Sequence, residues 1–258
     1  MRFFCTLASG SSGNAALYCD GSARILIDAG ASCKHIRTAL GQLGLALGDI
    51  SHILITHTHS DHVSALPVLL GHTEARLICS AGAYGGLRAI SGADRAVAFD
   101  EGEEMDLNGV RVRAFPTLHD SPGSVGYILG EGEAAVGYCT DLGRVTAEVM
   151  QALRGAPTVV LESNHDVGLL RGGPYPQFLK QRILSDQGHL SNESCARAVE
   201  TLVQHGTRRL VLAHLSERNN TPRHAAAETD LALYRVGAQD DVRVTVAPRR
   251  APMQPVML

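Results

Sequence analysis

Short hydrophobic runs separated by turn residues dominate the first half of the chain. Runs of this length, rich in β-branched and aromatic residues and bounded by Gly, Asp, Ser or Pro, are typical of β-strands. Helices are expected over 32–43 and 81–91, between these runs. The runs themselves predict strands over 15–19, 24–28, 52–56, 75–79, 110–115, 125–129 and 134–139.

The second half of the chain alternates strands with longer amphipathic helices. A helix is predicted over 192–204 with Ser191 as its cap, and another over 222–235 beginning at Thr221-Pro222. The first of these has one apolar face, formed by Cys195, Ala198, Val199, Leu202 and Val203. The other predicted elements are a helix over 176–185 and strands over 158–163, 208–215 and 242–246.

Strands mixed with amphipathic helices predict sheets covered by helices, an α/β (α+β) class. The sequence has no internal repeat and no linker long enough to divide it, so we expect one domain over residues 1–247. Residues 248–258 are rich in proline and are expected to form a peripheral tail. Polar residues at strand ends are where a site is expected, because loops gather there.

Composition narrows the class of protein. With 258 residues, 45% of them hydrophobic, the chain can bury one substantial core. A net charge of −3 argues against simple electrostatic adhesion to nucleic acid, although a local groove can still be basic. The six cysteines form no CxxC pair and predict reduced thiols in the core. No secretory signal and no membrane-spanning run is evident, so a soluble cytoplasmic protein is expected.

The stretch Thr-His-Thr-His-Ser-Asp-His at 56–62 carries the clearest chemistry. Imidazole nitrogens and carboxylate oxygens are ligands of zinc, iron and manganese. In an extended loop, His57 and His59 point the same way and can share one ion, while Asp61 and His62 aim at a second point nearby. A lone histidine is usually a structural residue, but a cluster of this kind after a β-run predicts a metal site.

Further ligands must come from later strand ends. His119, Asp141 and His214 each close an apolar β-run and are the candidates. A divalent metal lowers the pKa of bound water from about 15.7 toward about 7, which supplies hydroxide at neutral pH. The predicted reaction class is therefore hydrolysis, and Asp61 is a candidate to steer the proton of the nucleophile.

This order of motifs resembles the metallo-β-lactamase superfamily over nearly the whole chain. The resemblance implies a four-layer αββα sandwich, with two mixed sheets flanked by helices and a site for two divalent ions. It also implies that Asp28, in the stretch LIDAG, orients a ligand loop, whereas an ordinary turn aspartate is the alternative. The implied ligands are His57, His59 and His119 for one ion, Asp61, His62 and His214 for the other, and Asp141 as the bridge.

Two stretches outside the ligand set bear on the substrate. The turn SGSSGN, with Ser11, Ser12 and Asn14, offers backbone N–H groups to a phosphate, or is an ordinary turn. His189 in SDQGHLSNES precedes a helix N-terminus. Ser191 nearby and His165 are further substrate-contact candidates.

His189 resembles the GHS/T histidine of the superfamily's RNA-processing endonucleases, which contacts the scissile phosphate and protonates the leaving oxygen. The alternative is a surface histidine near a helix cap. Glu162 in VVLESNHD is a candidate to support His189, and His165 or Asp166 is the alternative for that role.

LASGSSGN, ESNHD and SDQGHLSN together resemble the YycJ/WalJ-like branch of the superfamily, whose members are regarded as bacterial DNA exonucleases acting from 5′ ends. The resemblance implies a dinuclear phosphodiesterase with zinc, manganese or iron, and DNA as its substrate. Arg171, Lys180 and Arg182 either flank a nucleic-acid path or belong to a solvated helix face. The sequence identifies no protein partner.

Two other functions stay open at this point. A small-molecule hydrolase (cyclic phosphodiesterase, lactonase or thioesterase) would use the same metals, and the absence of tryptophan and the 4% aromatic content favour it. A binding or scaffold protein with structural metals would need closed coordination. The proposed ligand set leaves room for water on each ion, which argues against that reading.

Overall fold

The computed structural model describes residues 2–100 and 102–258. Their strands form two mixed sheets. The first runs in the order β14-β1-β2-β3-β4-β5-β6 and the second in the order β13-β12-β11-β10-β9-β8-β7. The strands of the first are β1 (Phe3–Ala8), β2 (Ala15–Asp20), β3 (Ala23–Ile27), β4 (His52–Ile55), β5 (Arg76–Ser80), β6 (Val97–Phe99) and β14 (Val256–Met257). Those of the second are β7 (Glu104–Leu107), β8 (Val110–Pro116), β9 (Val125–Leu129), β10 (Val136–Cys139), β11 (Thr158–Glu162), β12 (Arg209–Ala213) and β13 (Arg243–Val246).

The helices fall between these strands. Short 3-10 turns occur at Leu47–Asp49, Ala93–Arg95 and Gly132–Ala134. The α-helices are α1 (Cys33–Gln42), α2 (Ser60–Val63), α3 (Leu66–Leu69), α4 (Ala81–Leu87), α5 (Ala147–Leu153), α6 (Val167–Gly172), α7 (Gln177–Ile183), α8 (Asn192–Gln204) and α9 (Pro222–Arg235). Within the described ranges, no helix is long and apolar enough to cross a bilayer.

The chain folds as two compact units. The first comprises Met1–Ala114, Ser121–Val125 and Pro248–Leu258, and the second comprises Phe115–Asp120 and Gly126–Ala247. In the first unit, β3, β4, β5 and β6 pair in parallel. In the second, β10, β11, β12 and β13 pair in parallel. Each unit therefore has an edge where the carboxyl ends of neighbouring parallel strands meet, which is the usual place for a site in such sheets.

Helix α8 shows why the sequence pattern folds as predicted. Ser191 accepts a hydrogen bond from the N–H of Ser194 and caps the helix, and the predicted bounds 192–204 are confirmed. The predicted apolar face is confirmed as well, because it packs into the core of the second unit. That core contains Val159, Leu161, Leu210 and Leu212 from the central strands together with Cys195, Ala198, Val199, Leu202 and Val203. All six cysteines of the chain are buried as thiols.

The C-terminal segment differs from the prediction of a peripheral tail. Val256 and Met257 pair antiparallel with Phe4 and Phe3 of β1. The N–H of Met253 donates to the carbonyl of Thr6 at 2.9 Å, and the Met253 side chain is only 5% exposed. A strand edge offers unpaired backbone groups, and this segment satisfies those of β1 despite its prolines. Strand β1 itself is absent from the sequence prediction.

Candidate metal centre

In the first unit, a buried aspartate lies where two parallel strands end. Asp28 follows β3 and has a left-handed backbone, with φ of 60°. Its carboxylate accepts hydrogen bonds from the Thr56 N–H at 2.9 Å, the Thr56 hydroxyl at 2.9 Å and His62 Nδ1 at 2.8 Å. The side chains of Asp28 and His62 are fully buried. Because a carboxylate only accepts, His62 donates from Nδ1 and keeps Nε2 for a metal.

His57 is held in the same tautomer by Thr56. The Thr56 hydroxyl gives its single hydrogen to Asp28, so it accepts from His57 Nδ1, which lies 3.1 Å away. The His57 and His62 rings have centroids 4.0 Å apart, and His57 Nε2 lies 3.1 Å from His59 Nδ1. Three imidazoles thus converge at one strand end. Thr56 is the functional residue that the sequence reading misses, and the available signal is a hydroxyl directly before the first histidine.

The predicted substrate turn contacts this cluster through Asn14. Its Oδ1 accepts from the Gly10 N–H at 2.8 Å, so its amide NH₂ is the group that faces the ligands. Asn14 Nδ2 lies 3.0 Å from His62 Nε2 and 3.3 Å from Asp61 Oδ2. Ser11 and Ser12 are exposed at the tip of the turn. Asn14 therefore lies beside candidate ligand atoms, while the two serines face solvent.

Glycine at position 30 is required by this packing. A Cβ there would lie 1.5 Å from the backbone oxygen of Asp61. The Gly30 N–H donates to the Asn14 carbonyl, and the Asn14 N–H donates to the Asp61 carbonyl, both at 2.8 Å. The three loops that carry Asp28, Asn14 and Asp61 are thus hydrogen-bonded in one layer without room for a methyl group.

We expect Gly30→Ala to lower the free energy of unfolding by more than about 3 kcal/mol, because the added methyl must displace backbone rather than a side chain. Urea denaturation followed by circular dichroism measures this. Gly41→Ala is the matched control: nothing lies within 4 Å of its added methyl, and it is in α1. That change should stabilise the protein by about 0.5–1 kcal/mol. Similar urea midpoints for the two variants would contradict the close approach of Gly30 to the backbone of Asp61.

In the second unit, three candidate residues lie at the ends of adjacent parallel strands. Asp141 follows β10, Glu162 ends β11 and His214 follows β12. Asp141 and His214 have φ of 58° and 55°, a left-handed backbone that is rare outside glycine. Such conformations cost about 1–3 kcal/mol each and cluster at functional sites. The surrounding sheet holds both side chains in place against that cost.

Glu162 organises this strand edge. It is fully buried, and its Oε1 accepts from His189 Nδ1 and from His214 Nδ1, each at 2.8 Å. Its Oε2 accepts from the N–H groups of Leu142 at 3.0 Å and Leu190 at 3.2 Å. Burial raises the pKa of Glu162, but the charge of His189 and the hydrogen bonds from both histidines outweigh it and lower that pKa to about 2. Glu162 is therefore an anion that accepts from four donors.

The remaining candidates of this unit lie around the same point. One oxygen of Asp141 is 3.3 Å from His214 Nδ1, 3.6 Å from His189 Nδ1 and 3.9 Å from His119 Nε2. His119 Nδ1 donates to the Gly188 carbonyl at 3.1 Å. Burial lowers the pKa of His119, which favours the neutral form that binds a metal.

The donor set fits a divalent metal. In the first unit His57 and His62, and in the second His119 and His214, have Nδ1 hydrogen-bonded to a protein oxygen, which leaves Nε2 as the atom that could bind a metal. Within the second unit alone, single atoms of Asp141, Glu162, His189 and His214 lie within 4.8 Å of one another. Nitrogen and carboxylate donors of this kind suit zinc, manganese or iron.

The other predicted residues have varied positions. His165 is 1% exposed, and burial lowers its pKa to about 4, so it is a neutral buried imidazole. Ser191 uses its hydroxyl as the cap of α8. Asp166 caps α6 by accepting from the Leu169 N–H. The basic residues engage neighbours, since Arg182 pairs with Asp120 at 2.5 Å and Lys180 donates to the Arg171 carbonyl at 2.7 Å.

A protein-family model described as "Beta-lactamase superfamily domain" matches residues 23–215. The chain belongs to this superfamily, and the predicted family and fold class are confirmed. The crystal structure of the metallo-β-lactamase fold protein YhfI from Bacillus subtilis superposes with a TM-score of 0.74 at 14% identity, covering 98% of this chain and 99% of that one. That similarity supports the fold alone.

Curated relatives define the branch. Exodeoxyribonuclease YycJ of Bacillus anthracis is 34% identical over 220 residues, 84% of this chain and 83% of its own. Exodeoxyribonuclease WalJ of Streptococcus pneumoniae is 32% identical over 246 residues, 92% of this chain and 91% of its own. The chain is YycJ/WalJ-like over most of its length, as the three non-metal stretches predict.

Proposed function

We propose that this chain is a metal-dependent phosphodiesterase that degrades DNA from its 5′ ends. The names of the relatives support the exodeoxyribonuclease activity, and the 5′ polarity follows from the family resemblance. The observation that carries the proposal is the pair of buried carboxylates, Asp28 and Glu162, each of which fixes the tautomer of a candidate ligand histidine. A cytoplasmic location and a single catalytic domain are parts of the same proposal.

The proposed ligand set is the one that the motifs imply. One divalent ion is assigned to His57, His59 and His119, the other to Asp61, His62 and His214, with Asp141 as the bridge. Divalent ions held by these residues would supply an activated water molecule and neutralise charge on the phosphoryl oxygens. Asp61 accepts a proton from the attacking water, and Asn14 directs its amide hydrogens toward the same side of the cluster.

His189 is the proposed general acid. Its Nδ1 donates to Glu162, so in the imidazolium form Nε2 carries the second proton, which a leaving oxygen can receive. Burial lowers the pKa of His189, but the charge of Glu162 and the hydrogen bond to it raise the pKa more, and the net shift is upward. The side chain keeps 24% of its surface exposed, which gives a substrate access to it. A raised pKa keeps the imidazolium populated near neutral pH, as an acid requires.

We expect His189→Gln to lower turnover of DNA by about 100-fold or more at unchanged metal content. Activity of the parent protein should fall as pH rises through the pKa of His189, and this basic limb should be absent in the variant. Bis-p-nitrophenyl phosphate should be affected far less, because its leaving group departs without a proton. His72→Gln, an exposed histidine, is the matched control. Loss of metal from the His189 variant would identify His189 as a ligand instead.

The activity itself is tested with duplex and single-stranded DNA labelled at one end, with Mn²⁺ or Zn²⁺ added. We expect a 5′ label to be released at once as a short product, while a 3′-labelled strand shortens progressively, and chelation should stop both. The second candidate, a small-molecule hydrolase, is favoured by the net charge of −3 and the absence of tryptophan. Rapid turnover of an acyl lactone with DNA left intact would establish that candidate instead.

A further inference from the structure

A basic cavity of about 290 Å³ lies in the first unit, beside the SGSSGN turn. Arg249 and Arg250 line it together with Ser12, Ser32 and His35, and no carboxylate lies among the lining residues that the structure describes. Arg250 and Ser12 are exposed and Arg249 is half-buried. The lining thus carries two cationic side chains, although the whole chain has a net charge of −3.

The C-terminal segment brings the two arginines to this place. The Ser9 N–H donates to the Arg249 carbonyl at 3.3 Å, directly before the turn begins. Beyond the arginines, Met253 hydrogen-bonds to Thr6, and the thiol of Cys5 lies 3.2 Å from the Met253 carbonyl. Pairing of β14 with β1 fixes the end of the segment. Arg249 and Arg250 are therefore held by a structured segment and do not lie on a loose tail.

The same turn lines the cavity and contacts the candidate metal ligands. Ser12 and Gly13 border the cavity, and Asn14, the next residue, has its amide 3.0 Å from His62 Nε2. A DNA strand carries a phosphate on every nucleotide, and the turn that contacts the candidate ligands also borders the cavity. The cavity and the candidate ligands are therefore bordered by consecutive residues of one turn.

The lining groups suit a phosphate. Guanidinium groups present parallel N–H donors that match phosphate oxygens, and hydroxyls add neutral donors. His35 donates from Nε2 to the Leu7 carbonyl at 2.9 Å, which fixes its ring in the cavity wall. Ser32 caps α1, so the positive end of that helix also points to this region.

We propose that this cavity binds a phosphate of the DNA strand and so positions the strand end for cleavage. The inference rests on the proposed nuclease function and adds a subsite to it, formed by Arg249, Arg250 and the SGSSGN turn. The phosphate is either the 5′-terminal one or the first internal one, and the two sources share the same chemistry. Binding there would hold the strand in register with the point of hydrolysis at the candidate metal ligands.

The test is binding of a 3′-fluorescein-labelled single strand, measured by anisotropy in EDTA at several salt concentrations. Arg249→Gln/Arg250→Gln should reduce the slope of log K against log salt by about 0.7 for each phosphate that the guanidinium groups neutralise. The single variant Arg250→Gln keeps the half-buried Arg249. It therefore tests whether the slope changes when the C-terminal segment is left undisturbed. Arg37→Gln, exposed on α1 and outside the cavity, is the matched control and should leave the slope unchanged.

Strands with a 5′-phosphate and a 5′-hydroxyl separate the two sources. A change of slope on the phosphorylated strand alone identifies the terminal phosphate, and a change on both identifies an internal one. Equal slopes for the parent and both arginine variants would overturn the subsite. Turnover of bis-p-nitrophenyl phosphate should stay at the parent level in these variants, since the metal ligands are intact. If the parent protein binds DNA but does not cleave it when metal is added, the proposed nuclease function is contradicted. The effect of the arginine variants on the salt dependence of binding would still stand.

Discussion

Glu162→Gln should remove nearly all DNA hydrolysis from a protein that still folds. Glu162 accepts from His189 Nδ1 and His214 Nδ1 with one oxygen and from two backbone N–H groups with the other. A glutamine has one oxygen fewer to accept with, so either two imidazoles or two amides lose their partner. If the imidazoles lose the carboxylate oxygen, nothing holds the proton of His189 and His214 on Nδ1. We expect turnover to fall by about 10³–10⁴-fold, because the proposed acid His189 and the proposed metal ligand His214 both lose the hydrogen bond that orients them.

The control for this variant is Glu148→Gln, an exposed glutamate in the first turn of α5. It should change turnover by less than about two-fold, because exposed charges contribute little. Metal content and near-ultraviolet circular dichroism separate loss of chemistry from loss of fold. Turnover of Glu162→Gln within ten-fold of the parent, with metal bound and the fold intact, would show that Glu162 does not set the histidine tautomers.

Asp28→Asn should weaken metal binding by about 10–100-fold, the usual effect of losing a partner behind a ligand histidine. The asparagine NH₂ cannot accept, so either His62 Nδ1 or Thr56 loses its hydrogen bond inside a fully buried site. Leaving such a group unpaired costs about 1–3 kcal/mol, and thermal unfolding should report that loss. Asparagine also tolerates the left-handed backbone at this position, so the change isolates the carboxylate.

Competition with a fluorescent zinc chelator measures the metal affinity of this variant. Asp94→Asn provides the comparison, because Asp94 is exposed and its loss should leave the affinity unchanged. Equal affinities for Asp28→Asn and the parent would favour the alternative in which Asp28 is an ordinary turn residue.

Much of the site is predictable because local patterns carry it. The cluster at 56–62 and the single residues after later β-runs indicate ligands at strand ends. The structure places Asp28 and His214 directly after parallel strands, and Asp141 two residues after one. Long-range hydrogen bonds are not predictable in this way. The sequence suggests Glu162 as a partner of His189, but its bond to His214 joins positions 52 residues apart. Only the parallel register of β11 and β12 brings them together.

Short or edge elements explain the other differences. Helices α5 and α6 have seven and six residues, too few for a helical period to emerge from the sequence. Strand β14 has two residues and follows prolines, so its pairing with β1 depends on an edge formed by a segment about 250 residues away. A composition rich in proline predicts a peripheral tail there. The backbone pairing with the edge strand β1 instead holds the segment against the sheet.

Left-handed backbones at Asp28, Asp141 and His214 restrict what can replace these residues. Asparagine adopts this conformation readily, whereas β-branched and bulky side chains do not. Substitution by asparagine therefore offers a way to silence the chemistry while the strand ends keep their shape. Asp141→Asn should provide a trap, a folded protein that holds an uncut DNA strand long enough for crystallographic or cryo-microscopic study of the complex.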